Sequence, residues 1–478
     1  MSKASANSRK WRQYATAITI NLSAVAAGLS IGWTSPMIGP LQDPNTPLGT
    51  EPMTQDQISW LTAIFCVAPV FALPFSNPLA EKYGRKIFAS SISIPLGFSW
   101  LLTLLAKDFA CLVIARILAG VGLGMVVFIV PIYVAEISSD EVRGVLGSFL
   151  MFALNIGILL GFIFGAAMSY QMFAISGLIL AILFVSGFAF MPESPIYLLR
   201  KNCHDQATRS LMWIWNNDKT TVDSEIMRLQ EIVKDGVNFD KKVRFKDLWR
   251  DRGTFRGFLI ASALLSGQQT SGIAVVFMYT VTIFRLAGSS LDPDSAAIIL
   301  AVMQVFGSFL STMTIERAGR RLLLLISCLG MAISHCLLGL FLLLQHLEYD
   351  VKSINWFPVV VLSFYTILYC IGIGPVAYVV TPEVLSPDVS GLASSVAVAF
   401  MWIISFIIVK GFPLANDVIE NYGCFFVLAS CCLCTFVFTY FVVPETKGRS
   451  IESILKELGG EEIETRKIHE NKKCSVKP

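Results

Sequence analysis

Long stretches of the chain are dominated by apolar residues, and polar and charged residues collect between them. Twelve of these stretches have about 20 residues each, the length that an α-helix needs to cross the hydrocarbon core of a bilayer. The pattern therefore predicts an all-α polytopic membrane protein, built from helices and not from barrel strands. The predicted spans cover residues 14–36, 58–80, 87–106, 110–135, 145–168, 171–191, 255–284, 296–315, 322–345, 357–380, 391–412 and 422–443.

Composition and charge agree with this prediction. Of the 478 residues, 54% are hydrophobic and 15% are charged, which is too apolar for an ordinary soluble domain of this length. The loop at residues 37–57 carries Asp43, Glu51 and Asp56 and no basic residue, whereas residues 200–256 carry thirteen. By the positive-inside rule, we expect both termini and the long central loop in the cytoplasm.

The first span is predicted to be retained in the protein. No short apolar core with a small-residue cleavage site begins the chain, so residues 14–36 are predicted to be a helix and not a signal peptide. Most of the eleven cysteines fall within predicted spans, and free thiols are expected there in place of a disulfide framework. The cysteines within spans are Cys66, Cys328, Cys336, Cys370, Cys424, Cys431, Cys432 and Cys434.

A polar segment between the sixth and seventh spans divides the chain into two halves. Within it, Ile226, Leu229, Ile232 and Val233 occur at helical spacing, which predicts short amphipathic helices. The expected organisation is a cytoplasmic N-terminus at residues 1–13, a six-helix half at 14–196, a cytoplasmic helical linker at 197–254, a second six-helix half at 255–448 and a cytoplasmic tail at 449–478.

The two halves repeat the same short motifs at the ends of equivalent spans. Three motif pairs occur at nearly one offset, which predicts two pseudo-symmetric halves. The pairs are EKYGRK with ERAGRR (Gly84 to Gly319, 319 − 84 = 235 residues), AEISSDEVRG with PEVLSPDVSG (Ala135 to Pro382, 382 − 135 = 247) and PESPIYLLR with PETKGRS (Pro192 to Pro444, 444 − 192 = 252).

Acids and arginines in these motifs are candidates for a gate. At helix ends they can pair with one another and with C-terminal carbonyl groups, and so bridge neighbouring helices. If such pairs join the halves in only one state, breaking them permits the other state. The alternative is that they only anchor loops at the membrane surface. The candidate gate residues are Gly84, Arg85, Lys86, Glu136, Arg143, Glu193, Glu316, Arg320, Arg321, Glu383 and Glu445.

Taken in order, these motifs resemble the sugar porter family of the major facilitator superfamily. Together with QQTSGI at Gln268–Ile273 they extend the resemblance over residues 14–455. GWTSP at Gly32–Pro36 and the short first outer loop are similar to the insect facilitated trehalose transporter branch. The resemblance implies the twelve-helix major facilitator fold and a central cavity lined mostly by the second half, with alternating access by rocking of the halves.

The same resemblance implies the partners. It implies a small-molecule sugar or glycoside as the solute and the lipid bilayer of the plasma membrane as the environment, and it favours a monomer. It implies no cofactor, no metal, no nucleic acid and no enzymatic chemistry. In agreement, the sequence contains no zinc-type Cys/His spacing, no phosphate-binding GxxxxGK[ST] and no GxSxG.

Polar residues of the seventh span are the first candidates for solute contact. A polar side chain inside a bilayer is costly unless it is satisfied, so it tends to face the bundle interior or a wet cavity. Gln268, Ser271 and Tyr279 are expected on one helical face by their spacing. The amides of Gln268 and Gln269 suit contact with vicinal sugar hydroxyls, although they could also bond neighbouring helices.

Several cavity positions depart from the family's pattern. Three hydrogen-bonding side chains have become apolar, and an apolar wall discriminates by size more weakly than polar groups discriminate by pairing. Two interpretations stay open: the solute is a glycoside with an apolar part, or other side chains replace the lost contacts to a plain sugar. The changed positions are Ala274, Met151 and Met401 (beside Trp402) for amides, Tyr378 for a tryptophan and Gln304 for an asparagine.

The gate motifs also depart from the family's pattern. Ser390 stands where the first half has Arg143, and Ile196 replaces the family's usual arginine in the first half's PESP motif. The prediction is a weaker second-half network, rerouted through Arg320 and Arg321, and an outward state that is held less tightly.

The sequence of the first span bears on whether transport is coupled to protons. Proton-coupled members carry an aspartate there, whereas residues 28–32 read GLSIG without any acid. Facilitated diffusion is therefore the favoured prediction. The alternatives are a proton-coupled symporter of plant-type or sulfated glucosides (glucosinolate-like), which would make protons a second partner, and a sugar sensor that does not transport.

Three further ionisable residues lie within predicted spans. Arg116 and Lys410, near the outer ends of their spans, are expected to extend towards water; the alternative is that they attract an anionic glycoside. His335, in the ninth span, is expected to be a packing residue, and the alternative is a group that titrates near neutral pH.

Overall fold

The computed structural model describes residues 3–237, 245–249, 251–315, 318–386 and 388–459. Every regular element in this part of the chain is a helix. Within these described ranges, eleven helical segments are long and apolar enough to cross a membrane, and one of them, Ser390–Val442, has 53 residues. Its backbone leaves the helical region at Glu420, where φ is 58°, so this segment accounts for two of the twelve predicted spans.

The first half contains six spans, three of which are divided by a kink. At the kink in the second span, Pro69 occupies the first position of the new helix, where its missing N–H leaves no hydrogen bond unmade. The helices are α1 (Lys3–Gly32), α2 (Thr34–Gln42), α3 (Gln55–Val67), α4 (Pro69–Tyr83), α5 (Arg85–Ser91), α6 (Ser93–Leu105), α7 (Phe109–Ile137), α8 (Asp140–Ala167) and α9 (Tyr170–Phe188).

The predicted helical linker is present. It contains α10 (Pro195–Arg200), α11 (His204–Ile214), α12 (Lys219–Val237) and a 3₁₀ turn at Phe245–Trp249. Its helices pack around a small apolar cluster of their own that includes Leu198, Leu211 and Leu229. The side of the bundle that carries these helices is called the linker side below, and the other is called the opposite side.

The second half has the same organisation as the first. Its helices are α13 (Arg252–Thr270), α14 (Ile273–Leu286), α15 (Pro293–Thr314), α16 (Arg320–His346), α17 (Phe357–Ile371), α18 (Ile373–Glu383), α19 (Ser390–Val442) and α20 (Ile451–Gly459), with a 3₁₀ turn at Lys352–Ile354. The ten cysteines in the described part of the chain are all free thiols, as expected. The architecture confirms twelve helices in two halves joined by a helical linker.

Candidate functional site

The seventh span is broken in the middle. Helix α13 ends at Thr270 and α14 begins at Ile273, and between them Gly272 has a φ of +86°, a left-handed conformation that glycine adopts without steric cost. A second irregularity follows at Tyr279, with φ −123° and ψ 16°. The prediction that Gln268, Ser271 and Tyr279 share one continuous helical face is therefore wrong.

Two side chains from neighbouring helices hold this break. The backbone carbonyl oxygen of Ser271 accepts a hydrogen bond from the Nε2 of His335 at 2.8 Å and from the hydroxyl of Tyr365 at 2.9 Å. His335 is fully buried, and its ring centroid lies 4.5 Å from that of Tyr365. The histidine therefore packs against the break and satisfies its backbone, in line with the expected packing role.

Gln268 lies one turn before the break and is fixed by the tenth span. Its amide nitrogen donates to the hydroxyl of Tyr369 at 2.9 Å and to the carbonyl oxygen of Gly374 at 3.0 Å. Its amide oxygen is buried and has no hydrogen-bond partner among the described residues. Because an unpaired buried acceptor is costly, this oxygen is a ready site for a hydroxyl donor. Gln269 beside it is buried as well.

The other predicted cavity residues of the second half lie on helices around Gln268. The hydroxyl of Tyr378, one turn beyond Gly374, donates to the sulfur of Met401 at 3.3 Å. Met401 is fully buried, and Trp402 and Ala274 are half-buried. The wall next to the glutamine therefore presents thioether and methyl groups where hydrogen-bonding side chains were expected from the family's pattern.

Gln304 connects the two halves. Its amide nitrogen donates to the Oδ1 of Asn155 at 2.6 Å, and the amide of Asn155 in turn donates to Ser308. Asn155 lies one turn after Met151, which is half-buried, so α8 has an amide close to the position where the family's glutamine is missing. Sequence reasoning missed Asn155, although a lone amide in an apolar run is a signal of function.

Tyr279 joins the halves nearer the opposite side. Its hydroxyl lies 2.8 Å from the Oγ1 of Thr62 in the first half and 3.3 Å from the backbone carbonyl oxygen of Val409. Two residues further along α14, the backbone N–H of Val281 donates to the Oγ of Ser35 at 2.9 Å. The observed contacts of Tyr279 are therefore those of a latch between halves, and solute contact remains a prediction for this residue.

Lys410 adds an ion pair to the same latch. Its ammonium lies 2.6 Å from the Oδ1 of Asp56 and 2.6 Å from the Oγ of Ser59, both on α3 of the other half. The ammonium also lies 4.5 Å from the ring centroid of Trp60. Lys410 reaches towards the exposed Asp56, as expected for a cation near the end of its span, and its side chain ends on three groups of the other half.

Arg116 is buried, contrary to the prediction that its side chain extends towards water. The residue is only 3% exposed, and its guanidinium donates to the carbonyl oxygen of Ser30 at 2.8 Å and to the Oγ1 of Thr34 at 2.5 Å. It also lies over the ring of Phe65, at 4.3 Å from the centroid. Arg116 therefore does not extend towards water; it fixes α7 to the first span and to α3.

On the linker side, the gate residues Arg85, Lys86, Glu136 and Glu193 form one connected cluster. The carboxylate of Glu193 accepts hydrogen bonds from the backbone N–H groups of Lys86 and Ser194, at 2.9 Å and 2.8 Å. Burial raises the pKa of Glu193, while these backbone N–H groups favour its charged form. Arg85 pairs with Glu136, with 3.4 Å between Nε and Oε1. Lys86 also bonds the carbonyl oxygen of Ala189.

The second half repeats this cluster. The carboxylate of Glu445 accepts from the backbone N–H groups of Arg320 and Arg321, at 2.9 Å and 3.2 Å. Arg320 pairs with Glu383 at 3.6 Å, in the position that Arg85 and Glu136 occupy in the first half. A Cβ on Gly319 would collide with Glu445 in the way that a Cβ on Gly84 would collide with Glu193. Glu316 lies outside the described residues.

These clusters hold each half together by itself. Every ion pair described on the linker side joins residues of the same half or of its linker. The guanidinium of Arg143 donates to the carbonyl oxygen of Ser138, also in the first half. Within the described residues, the side-chain hydrogen bonds between halves run from Asn155 to the opposite side. A gate formed by the linker-side residues therefore remains a prediction.

A family model described as "Sugar (and other) transporter" matches residues 13–458. The chain belongs to the sugar transporter family. Among curated proteins, it is 32% identical over 450 residues to a facilitated trehalose transporter of Aedes aegypti, covering 94% of this chain and 55% of that protein. A facilitated trehalose transporter of Culex quinquefasciatus is 32% identical and 86% covered. The chain thus spans about half the length of the first of these sugar transporter relatives.

Solved structures with the same fold include those of a bacterial xylose transporter. The inward open conformation of the xylose transporter XylE from E. coli has a TM-score of 0.76 at 22% identity, covering 92% of this chain and 99% of that one. The partially occluded inward open conformation has a TM-score of 0.74 at 20% identity, covering 91% and 100%. These likenesses confirm the major facilitator fold.

Proposed function

We propose that the chain is a secondary carrier that moves a sugar or a sugar-containing solute through the membrane by alternating access. The observation that carries this proposal is Gln268, whose buried amide oxygen has no partner among the described residues while its nitrogen is fixed by Tyr369 and Gly374. A fixed acceptor beside a helix break suits a hydroxyl-rich solute, and broken helices near the middle of the bundle are typical of carrier sites.

The contacts between halves support a conformation that is open on the linker side. The Lys410, Tyr279 and Ser35 contacts close the opposite side, and each ion pair described on the linker side lies within one half or its linker. The excess of basic residues in the linker supports a cytoplasmic position for that side and for both termini. We therefore propose that this conformation is inward-facing. We also propose that the chain is a plasma-membrane carrier that acts as a monomer and has no enzymatic activity.

Facilitated diffusion is the proposed mode of transport. Ser30 lies in the part of the first span where proton-coupled members carry an acid, its hydroxyl bonds the carbonyl oxygen of Ala26, and its own carbonyl oxygen accepts from Arg116. Arg116 thus bonds neutral groups through its two Nη atoms, and no acidic side chain pairs with it among the described residues. Uptake that is unchanged between external pH 5.5 and 7.5 and insensitive to a protonophore supports this mode; uptake abolished by the protonophore contradicts it.

The solute is proposed to be trehalose or a glycoside of similar size. The names of the curated relatives make trehalose the first sugar to test, whereas Met401 and Ala274 suit a solute with an apolar part. Competition of labelled trehalose uptake by glucose, trehalose and alkyl glucosides in proteoliposomes separates the two. Preference for trehalose over every alkyl glucoside would contradict the glycoside interpretation.

A sugar sensor is the second candidate function. It is favoured by the loss of amides at Met151, Ala274 and Met401, which leaves fewer side chains to hydrogen-bond a transported sugar. Counterflow decides between the two, because a carrier exchanges labelled for unlabelled sugar across the membrane and a sensor binds it without exchange.

A further inference from the structure

A groove with two arginines lies outside the proposed sugar pathway, on the linker side of the first half. Its volume is about 510 Å³, within the range of about 300–1,000 Å³ that is typical of small-molecule sites. The groove lies where the start of α1 meets helix α11 of the linker. It is called the basic groove here and is lined by Arg12, Thr208, Arg209, Met212, Trp213 and Asn217.

Arg12 is held in place before any ligand arrives. Its Nη1 donates to the backbone carbonyl oxygen of Trp213 at 2.9 Å. The guanidinium carbon lies 5.4 Å from the ring centroid of Trp213 and 5.6 Å from that of Trp11. A guanidinium has five N–H groups, so one hydrogen bond leaves most of its donors for a ligand in the groove.

Arg209 supplies the second positive charge. Its side chain is exposed, and the lining contains no acidic residue to neutralise either arginine. Thr208 and Asn217 add a hydroxyl and an amide. The groove therefore presents positive charge and neutral hydrogen-bonding groups together, which is the pattern that binds phosphate groups.

The groove lies at the level where a membrane begins. Arg12 is the third residue of the first membrane-span candidate, Lys10–Gln42. Trp11 next to it is 54% exposed, and tryptophans are enriched at the headgroup level of bilayers. Met212 and the ring of Trp213 give the groove an apolar side. A ligand with a phosphate and an apolar part fits this combination.

We propose that the basic groove binds the phosphorylated headgroup of an anionic membrane lipid. Arg12 and Arg209 would contact the phosphate, and Met212 and Trp213 would contact the start of the lipid's apolar part. Basic clusters next to membrane spans recognise such headgroups through charge that is partly shielded from water. The bound lipid would fasten helix α11 of the linker to the start of the first span, because the groove has residues from both.

Binding to the purified full-length chain tests the proposal. Native mass spectrometry measures the affinity for dioctanoyl phosphatidylinositol bisphosphate, for dioctanoyl phosphatidylcholine and for free inositol trisphosphate. The variants are Arg209→Gln and the double variant Arg12→Gln/Arg209→Gln. The matched control is Lys201→Gln/Lys219→Gln, which removes two charges from exposed linker positions outside the groove.

The wild-type chain is expected to prefer the anionic lipid over phosphatidylcholine. Arg209→Gln should weaken that binding about fivefold and the double variant about 30-fold, from the usual contribution of a basic residue near a membrane surface. The control should change binding less than twofold. If the loss of Arg12 disturbs the fold of the linker, the single variant Arg209→Gln still tests the proposal, because it leaves Arg12 in place.

Three results would overturn the proposal. One is equal affinity for the anionic lipid in the wild type and in Arg209→Gln. Another is equal affinity of the wild type for the anionic lipid and for phosphatidylcholine. The third is binding of free inositol trisphosphate as tightly as the lipid, which would assign the groove to a soluble phosphate and not to a lipid headgroup.

Discussion

Lys410 of the second half and Asp56 of the first half form an ion pair, with 2.6 Å between Nζ and Oδ1, on the side of the bundle opposite the linker. The ammonium also bonds Ser59 and lies over the ring of Trp60. Because these partners belong to the other half, the contact can exist only while the halves are together on that side. With the linker side in the cytoplasm, as proposed above, the pair is therefore a marker of the inward-facing state.

Replacing Lys410 should weaken that state by a small amount. The Asp56 side chain is 71% exposed, so solvent screens the pair, which contributes at most about 1 kcal/mol; the cation–π contact with Trp60 contributes about 0.5–1 kcal/mol more. Lys410→Met should shift the equilibrium towards the outward-facing state about two- to thirtyfold, measured as labelling of a cysteine introduced on the opposite side.

Charge exchange separates the ion pair from the other contacts. Asp56→Lys/Lys410→Asp should recover part of the shift caused by Lys410→Asp alone. Lys352→Met, which removes an exposed lysine elsewhere, should leave labelling unchanged. Equal labelling of the wild type and Lys410→Met would show that Lys410 does not stabilise the closed opposite side.

Tyr279 and Thr62 should behave as one unit. Tyr279→Phe removes the hydroxyl that reaches Thr62 and Val409 but keeps the ring beside Phe412. A neutral hydrogen bond contributes about 0.5–1.5 kcal/mol, so the variant should shift labelling about three- to tenfold towards the outward-facing state. Thr62→Val should have a smaller effect in a Tyr279→Phe background than in the wild type; fully additive effects would show that the two hydroxyls are uncoupled.

The equivalent glycines Gly84 and Gly319 should differ in their tolerance of alanine. At both positions a Cβ would meet the carboxylate of Glu193 or Glu445. Only Gly84 has a positive φ, +101° with ψ 161°, a conformation almost restricted to glycine that costs other residues about 1–3 kcal/mol. Thermal unfolding in detergent should therefore show a larger loss for Gly84→Ala than for Gly319→Ala, and equal losses would contradict the strain argument.

The two linker-side clusters were predictable from the sequence, whereas the surroundings of Arg116 were not. The spans follow from apolar length, and the cluster of Arg85, Glu136 and Glu193 has its counterpart in the second half because the motifs are duplicated. The partners of Arg116 were not predictable in the same way, because Ser30 and Thr34 of the first span and Phe65 of the second contact the guanidinium through backbone, hydroxyl and ring groups that form no charge pattern in the sequence.

The break in the seventh span was only partly predictable. A glycine in an apolar span permits close packing as well as a left-handed turn, and the sequence does not distinguish them. What fixes the turn is tertiary: His335 and Tyr365 reach the Ser271 carbonyl oxygen from α16 and α17. Asn155 was missed for a related reason, since its partner Gln304 lies in the other half.

His335 and Tyr365 should protect the break together. His335→Leu or Tyr365→Phe alone leaves the Ser271 carbonyl oxygen with one side-chain donor, and each should reduce the free energy of unfolding by about 1 kcal/mol. The double variant should cost more than the sum, because a buried carbonyl then loses both donors. His346→Leu, at the exposed end of α16, is the control. If thermal unfolding shows that the losses of stability in the two single variants add up to that of the double variant, His335 and Tyr365 do not act together on the Ser271 carbonyl oxygen.

The most direct test of the carrier is counterflow of labelled trehalose in proteoliposomes that contain the purified chain. The wild type should exchange the sugar with saturation, and Gln268→Ala should raise the KM about tenfold, because the solute loses a fixed buried hydrogen-bond partner. Gln206→Ala, an exposed linker glutamine, should leave KM unchanged. An unchanged KM in Gln268→Ala, with exchange retained, would contradict the proposed site; no exchange of any sugar or glycoside by the wild type would contradict the carrier itself.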